Sequence, residues 1–396
     1  MFGREERSAL VRHRSSEAGG SSYTSPLARV FLAGLLTVFL VSSAATRTAS
    51  ASRDHKAFAA LSARLSEPGG YFDSDNLISN ETSYLHVVGK LRELGVAGGV
   101  YLGVGPDQSF SYIAKIRPKM AIIIDIRKDN LLQHLLFKAM FAHSRNRIEY
   151  LCTFFGKPLP KTKGWEARSV KDLVEYIDST ASDPKLFENA GKNVRNQIQK
   201  YGMSLSQAEL ETITKIQRAF FSAGLDIRYS SYHRPPRSIY PPYRELLVET
   251  DLAGQQQSYF NSEDDFQFIK KLEDQDMIVP VVGDLSGPQA MKAIAQYIAE
   301  IKEHVSAFYV SNVEFYLQRQ GTFDKFVENL KSLPIDDRSL IIRSYFNYYA
   351  PAHPQAEPNH FSTQLMERIE DLIKQCAAGE CESYNDIVTK NSILLK

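Results

Sequence analysis

The chain is poor in cysteine, in net charge and in long apolar runs, and each shortage removes a class of protein. It has three cysteines in 396 residues. Cys376 and Cys381 lie in the stretch Gln375-Cys-Ala-Ala-Gly-Glu-Cys381; two thiolates are too few ligands for a zinc site, so no metal site is expected. In an oxidising compartment the pair can close a small disulfide loop. Cys152, among Leu151, Phe154 and Phe155, reads as a small buried hydrophobe. The formal net charge is +1. The first 50 residues hold six arginines against three glutamates, a local balance of +3 that leaves about −2 for the rest. The body of the chain therefore has no bulk basic footprint for nucleic acid. The apolar run at residues 30–41 is short of the ~20 residues a membrane-spanning helix needs. There is no internal repeat and no low-complexity tract outside the N-terminus.

What is present begins with that run. A basic, Ser-rich lead precedes it, and Ser42-Ser43-Ala44-Ala45 and Ala49-Ser50-Ala51 follow it. This is the three-part layout of a secretory signal, with an uncleaved anchor as the alternative. Residues 1–51 are thus expected to export the protein or to anchor it in a membrane, the only membrane contact expected. The charge placement puts the folded part outside.

From residue 52 onward, 43% hydrophobic and 23% charged residues over the whole chain fit a globular domain. Residues 52–66 and 81–94 read as helices, with Asn80 as a fitting N-cap for the second. Then come a short apolar run at 100–104, a helix at 108–116, the continuous apolar run Ala121-Ile-Ile-Ile-Asp-Ile126 and a helix at 130–144. Short apolar runs alternating with helices predict a parallel sheet covered on both faces. The alternation stops over 145–275, where helices at 170–180, 186–200 and 206–223 lead to a Pro/Tyr-rich loop at 229–243. That region is expected to be an inserted helical cap over the sheet. The alternation resumes with strands at 278–282, 307–310 and 340–345 separated by helices at 288–303 and 322–332. A helix at 361–376 and a last strand near 384–389 complete the expected second half, 276–396, which pairs with the first half, 52–144. The predicted fold is α/β: a doubly wound, mostly parallel, Rossmann-like sheet with a helical insertion.

The chemistry is expected at the strand ends. Gly103-Val-Gly105-Pro-Asp107 joins the first strand to its helix, a turn in which glycine lets a ligand approach the backbone amides. Asp125, 20 residues after Gly105, ends the next strand, where an acid accepts hydrogen bonds from ribose hydroxyls. Gln108 stands where a dinucleotide fingerprint has its third glycine, which favours a ligand without a pyrophosphate over NAD. The alternative is that both glycines only shape the turn and Asp125 only caps a helix.

Val100-Tyr-Leu-Gly-Val-Gly-Pro-Asp107 followed by Ile124-Asp125 resembles motifs I and II of the class I S-adenosylmethionine (SAM) dependent methyltransferases. Gly283-Asp284-Leu-Ser-Gly is similar to the family's adenine-side loop, and Val310-Ser311-Asn312-Val-Glu314 follows the strand after which the family places substrate-contacting residues. The pattern also resembles a little-characterised bacterial group in that superfamily. About 125 residues are covered, roughly 75–130 and 276–346. The resemblance implies a methyltransferase-type sheet with SAM as cofactor and an unknown acceptor. Gly103, Gly105 and Asp107 would form the turn beside the methionine part, Asp125 would hold the ribose, and Asp284 would sit by the adenine. Ser311 and Asn312 would face the methyl group. Glu81 is expected to reach the SAM amino group. Glu314 is the first expectation for a general base and His233 the second, against plainer roles as a helix-start carboxylate and a solvated loop residue. Asn312 has an N-cap reading beside the substrate one. In the 229–243 loop, Tyr232 and Tyr240 suit a lid over substrate, with a polyproline-like surface segment as the alternative. The insertion and the single strand expected after the fifth depart from the family, and no Asn/Asp-Pro-Pro-Tyr signature points to base methylation. An exported SAM enzyme would lack its cofactor, so a non-enzymatic exported binding protein on the same scaffold stays open, as does an NAD-dependent oxidoreductase.

Overall fold

Ala121-Ile-Ile-Ile124 is apolar at every position because helices cover both faces of its strand, leaving no wet side to which polar residues could alternate. The computed structural model of the chain describes residues 55–235, 237–347 and 352–396. The expected export or anchor segment at 1–51 lies outside the described residues. Six strands form one sheet: β1 (Val100–Gly103), β2 (Met120–Asp125), β3 (Ile278–Val282), β4 (Val305–Ser311), β5 (Leu340–Phe346) and β6 (Ser362–Arg368). Their order is β3-β2-β1-β4-β5-β6. The first five are parallel, and β6 runs antiparallel to β5 with Leu340 opposite Arg368 and Phe346 opposite Ser362. This is a doubly wound, Rossmann-like α/β fold. The strand order reverses direction between β1 and β4, and in such sheets ligands bind outside the C-terminal strand ends at that point.

The 145–275 insertion, expected as a helical cap over the sheet, reaches the sheet through one intervening helix. Helices Pro184–Lys200, Gln207–Ala223 and Glu263–Asp274 pack on the helix Lys128–Ala142, which itself lies against β2 and β3. That helix is consequently buried all round, from Asn130 through Phe141. A helix with no wet face must be apolar or internally paired on every side. Its buried lysine, Lys138, is 3% exposed and lies 2.9 Å from Asp276 with Glu273 beside it. One continuous apolar cluster runs from Leu102 and Ile122 through Phe154, Leu173 and Phe220 of the insertion. Asp54–Lys396 accordingly forms a single unit.

Two local expectations are overturned. The helix expected over 81–94 spans only Val88–Glu93, and Val87, not Asn80, holds its N-cap position, without a side-chain bond. Residues 82–87 form turns, which frees Asn80 and Glu81 for another role. At the C-terminus the helix expected over 361–376 is helical only over Ile369–Ala377, its first part being strand β6, and the strand expected near 384–389 is the helix Tyr384–Thr389, opened by a Ser383/Asp386 capping box. Five of the seven residues of Ser-Thr-Gln-Leu-Met-Glu-Arg are polar, so it does not read as a buried strand. It is buried because Ser344 donates to Gln364 at 2.5 Å and Arg343 to Glu367 at 2.7 Å across the strand pair. The Cys376–Cys381 disulfide is formed, and Cys152 is buried as expected. Among the described residues no helix is long and apolar enough to cross a membrane.

Candidate functional site

Outside the C-terminal ends of β1 to β4 lies a crevice of about 1100 Å³. Gly105 and Asp125, on the turns after β1 and β2, line one side with Asp284 of the turn after β3. Glu81 and Asn80 line the other with Ser311 and Asn312 after β4. Tyr240 of the insertion loop closes part of the mouth. Seven of the expected cofactor and substrate residues thus converge on one space at the topological switch point: Glu81, Gly105, Asp125, Asp284, Ser311, Asn312 and Tyr240.

The floor is a buried polar cluster. The Glu81 carboxylate is 1% exposed; it accepts from the Tyr309 hydroxyl at 2.6 Å, the Ser311 hydroxyl at 2.6 Å and the Gln108 amide at 3.1 Å. Gln108 also bonds the Tyr309 hydroxyl. No lysine, arginine or histidine pairs with Glu81 among the described residues, so its charge meets only neutral donors. Ser311 sits at φ 52°, beside a register shift in the β4–β5 pairing. A serine in left-handed backbone costs roughly 1–2 kcal/mol relative to right-handed geometry. Such strain clusters where a side chain must be aimed, and here it turns the hydroxyl onto Glu81.

The β1–β3 side is made differently. Gly105, at φ 79°, holds a left-handed backbone that favours glycine, while a Cβ there would meet only the Asn76 side chain, at 3.4 Å. Its carbonyl accepts a 2.9 Å bond from His134, whose burial lowers its pKa to about 4 and keeps the ring neutral. Asp125 takes a two-point ion pair from Arg127, at 3.1 and 2.9 Å, while Arg127 also holds the Asp75 carbonyl at 2.8 Å. Asp284 folds its own loop by accepting from the Ser286 amide at 2.8 Å, and its amide is held by Glu67. Glu67 also accepts from the amides of Gln289 and Ala290 at the start of the helix Ala290–Glu300.

Five expected residues do not line the crevice. Gly103 is a packing glycine: a Cβ there would lie 2.7 Å from the Tyr101 ring and 2.9 Å from Ser109. Asp107 faces inward, bonded to the hydroxyls of Tyr243 and, at 3.0 Å, Tyr259, and burial pushes its pKa up to about 6. It clamps the insertion to the turn. Glu314 is fully buried and bonded to Arg343 at 2.7 Å, which Glu367 also engages at 2.7 Å. A carboxylate sealed on a guanidinium has no path to a substrate proton, so Glu314 is not the base. His233 is exposed at the rim, 2.6 Å from Asp73. Tyr232, 57% exposed, stands outside as well. The lid reading survives for Tyr229, Arg234 and Tyr240 only.

Sequence reasoning missed Arg127, Tyr309 and the aromatic pair Phe72–Tyr316, whose rings meet edge to face at 5.0 Å in the crevice wall. Arg127 sits two residues after Asp125, a spacing that could have suggested the pair. Nothing local marks Tyr309, which lies inside an apolar strand run. Gln108 was noticed only as an absent glycine, and its amide turns out to help build the floor.

A family model described as a domain of unknown function (DUF7790) matches residues 77–392. No curated protein matches the chain.

Proposed function

Taking as premise that this chain belongs to the DUF7790 family, we propose that its crevice binds an adenosyl ligand, SAM, and that the protein is methyltransferase-like. One observation carries the reading: Gly105, Asp125 and Asp284, from three adjacent strand tips, face the same space as a buried carboxylate, Glu81, that has no cationic partner. The left-handed Gly105 fits a close backbone approach by the methionine part of the ligand. Asp125 keeps acceptor capacity for ribose hydroxyls beside its Arg127 pair, and Asp284 lies where an adenine amino group would donate. Glu81 suits the ligand's ammonium, because a carboxylate held only by neutral donors leaves net negative charge in a low-dielectric wall. Ser311 and Asn312 then face the methyl side, with Tyr240 over the acceptor.

SAM supplies an activated methyl group on sulfur. The residues of this chain orient it and exclude water, which for an in-line displacement is most of the task. With Glu314 sealed away and Glu81 already accepting three bonds, acceptors that need no deprotonation fit this crevice best. The same observation favours a second reading: an exported protein that binds an adenosyl-type ligand without turnover. The apolar segment before residue 52 and the Cys376–Cys381 disulfide support export or anchoring.

Isothermal titration with SAM, S-adenosylhomocysteine and NAD is the test. Binding of the first two without NAD is the expected result, and binding of none of the three refutes the adenosyl reading. Methyl release from labelled SAM then separates enzyme from binding protein.

A further inference from the structure

Away from the crevice floor, three side chains from distant parts of the chain meet. His86 lies in the turns before the helix Val88–Glu93, Glu249 directly follows the helix Tyr243–Val248 of the insertion, and His360 precedes β6. One donor atom from each lies within 4.8 Å of the other two. No hydrogen bond joins any two of these side chains among the described residues, so mutual hydrogen bonding does not account for the cluster.

The surroundings are those of ligands. His360 Nδ1 contacts the Thr82 carbonyl at 2.9 Å, a bond in which the nitrogen must donate. That fixes the tautomer and leaves the Nε2 lone pair outward, the arrangement in which a ligating histidine is held by its second nitrogen. His86 is 7% exposed, its ring stands edge-on to that of His360 at 4.5 Å, and its nitrogens have no hydrogen-bond partner among the described residues. Glu249 accepts one 2.8 Å bond from the Thr250 amide, leaving its second oxygen available. Two imidazoles and a carboxylate suit a borderline-soft divalent ion.

We propose that His86, Glu249 and His360 form a binding site for a zinc-type divalent cation, with a water molecule as the expected fourth ligand. Two ligands of a tetrahedral zinc ion stand about 3.4 Å apart, so ligand atoms that already lie within 4.8 Å of one another close on the ion with small side-chain shifts. The ion ties the insertion, the turn segment and the β5–β6 connection together at one point. Thr82, which holds His360, is next to Glu81, so the tie also steadies the segment that supplies the crevice floor. The inference does not depend on SAM.

The test uses untagged full-length protein stripped with a chelator. Zinc titration followed by mass-spectrometric metal analysis is expected to give one ion per chain, and cobalt substitution the visible bands of a tetrahedral site. At about a hundredfold excess over Kd, Tm is expected to rise by roughly 5 °C. The conservative variants Glu249→Gln and His360→Gln are expected to weaken zinc binding at least tenfold while leaving affinity for SAM or S-adenosylhomocysteine, if any, in place. No uptake by the stripped protein overturns the proposal. So does uptake that both variants retain at wild-type affinity, because the ion then sits elsewhere. Should either variant fail to fold, the cobalt spectrum of the parent decides: a spectrum without the intensity of tetrahedral coordination rejects the site.

Discussion

Two carboxylate clusters stand within three residues of each other after β4, and they do opposite things. Ser311, the last residue of β4, bonds Glu81 on the crevice floor; Glu314, in the first turn of the following helix, is sealed with Arg343 and Glu367. In the first cluster the carboxylate is held by hydroxyls and an amide and borders open space. In the second, two carboxylates share one guanidinium and all three side chains are fully buried. A buried charge is tolerated either by a counter-charge or by donors in a wall where a ligand can supply one. The sealed cluster joins β5, β6 and the helix after β4; the floor cluster leaves a charge for something else to meet.

Removing the shared cation gives the largest expected effect. Arg343→Met strands Glu314 and Glu367 without a partner, and a loss of about 3–5 kcal/mol is expected from the shift in urea midpoint. Neutralising all three positions with Gln, Met and Gln should recover much of it. If Arg343→Met were nearly neutral, the sealed cluster would be no clamp and the contrast would fail.

Asp107 sharpens the comparison, being a buried carboxylate held by tyrosine hydroxyls with no crevice beside it. Its pKa, raised to about 6 by burial, lies above the ordinary value near 4. The folded state therefore binds the proton more tightly, and the contribution of Asp107 to stability falls as pH rises from about 4 to about 6. Across that window Asp107→Asn should gain on the parent protein by about 2–3 kcal/mol, measured as the difference in their unfolding free energies. His86 and His134, lowered to about 4, act in the opposite direction in both proteins and cancel from that difference. A difference independent of pH would mean that Asp107 stays ionised throughout.

The smallest effect belongs to the floor. Glu81→Gln keeps the size of the side chain, so stability should change by no more than about 1 kcal/mol. Affinity for SAM should fall about tenfold, the equivalent of about 1.4 kcal/mol. An unchanged affinity would place Glu81 with the sealed carboxylates as a structural group.

The periodicity of the chain made most of the sheet legible. The runs at 278–282 and 340–345 match β3 and β5 closely, and the helix at 108–116 matches its observed bounds, because apolar runs and caps are local signals. The Gly105, Asp125 and Asp284 corner was legible for the same reason: each follows a recognisable strand. The base was not. Ser311 and Glu314 are neighbours in sequence, but a left-handed serine turns the chain so that one meets the crevice and the other a buried arginine. Strand β6 was hidden too, because its polar residues are paid for by partners far along the chain.

The sequence by itself determined the alternation of strands and helices from β1 to β5 and the glycine and carboxylates at the strand tips, since these depend on residues close together in the chain. Only the tertiary structure decided which carboxylates are sealed and which border open space, where the insertion packs, and that His86, Glu249 and His360 meet. Those outcomes depend on the pairing of charges and donors between segments up to hundreds of residues apart, which no local pattern records.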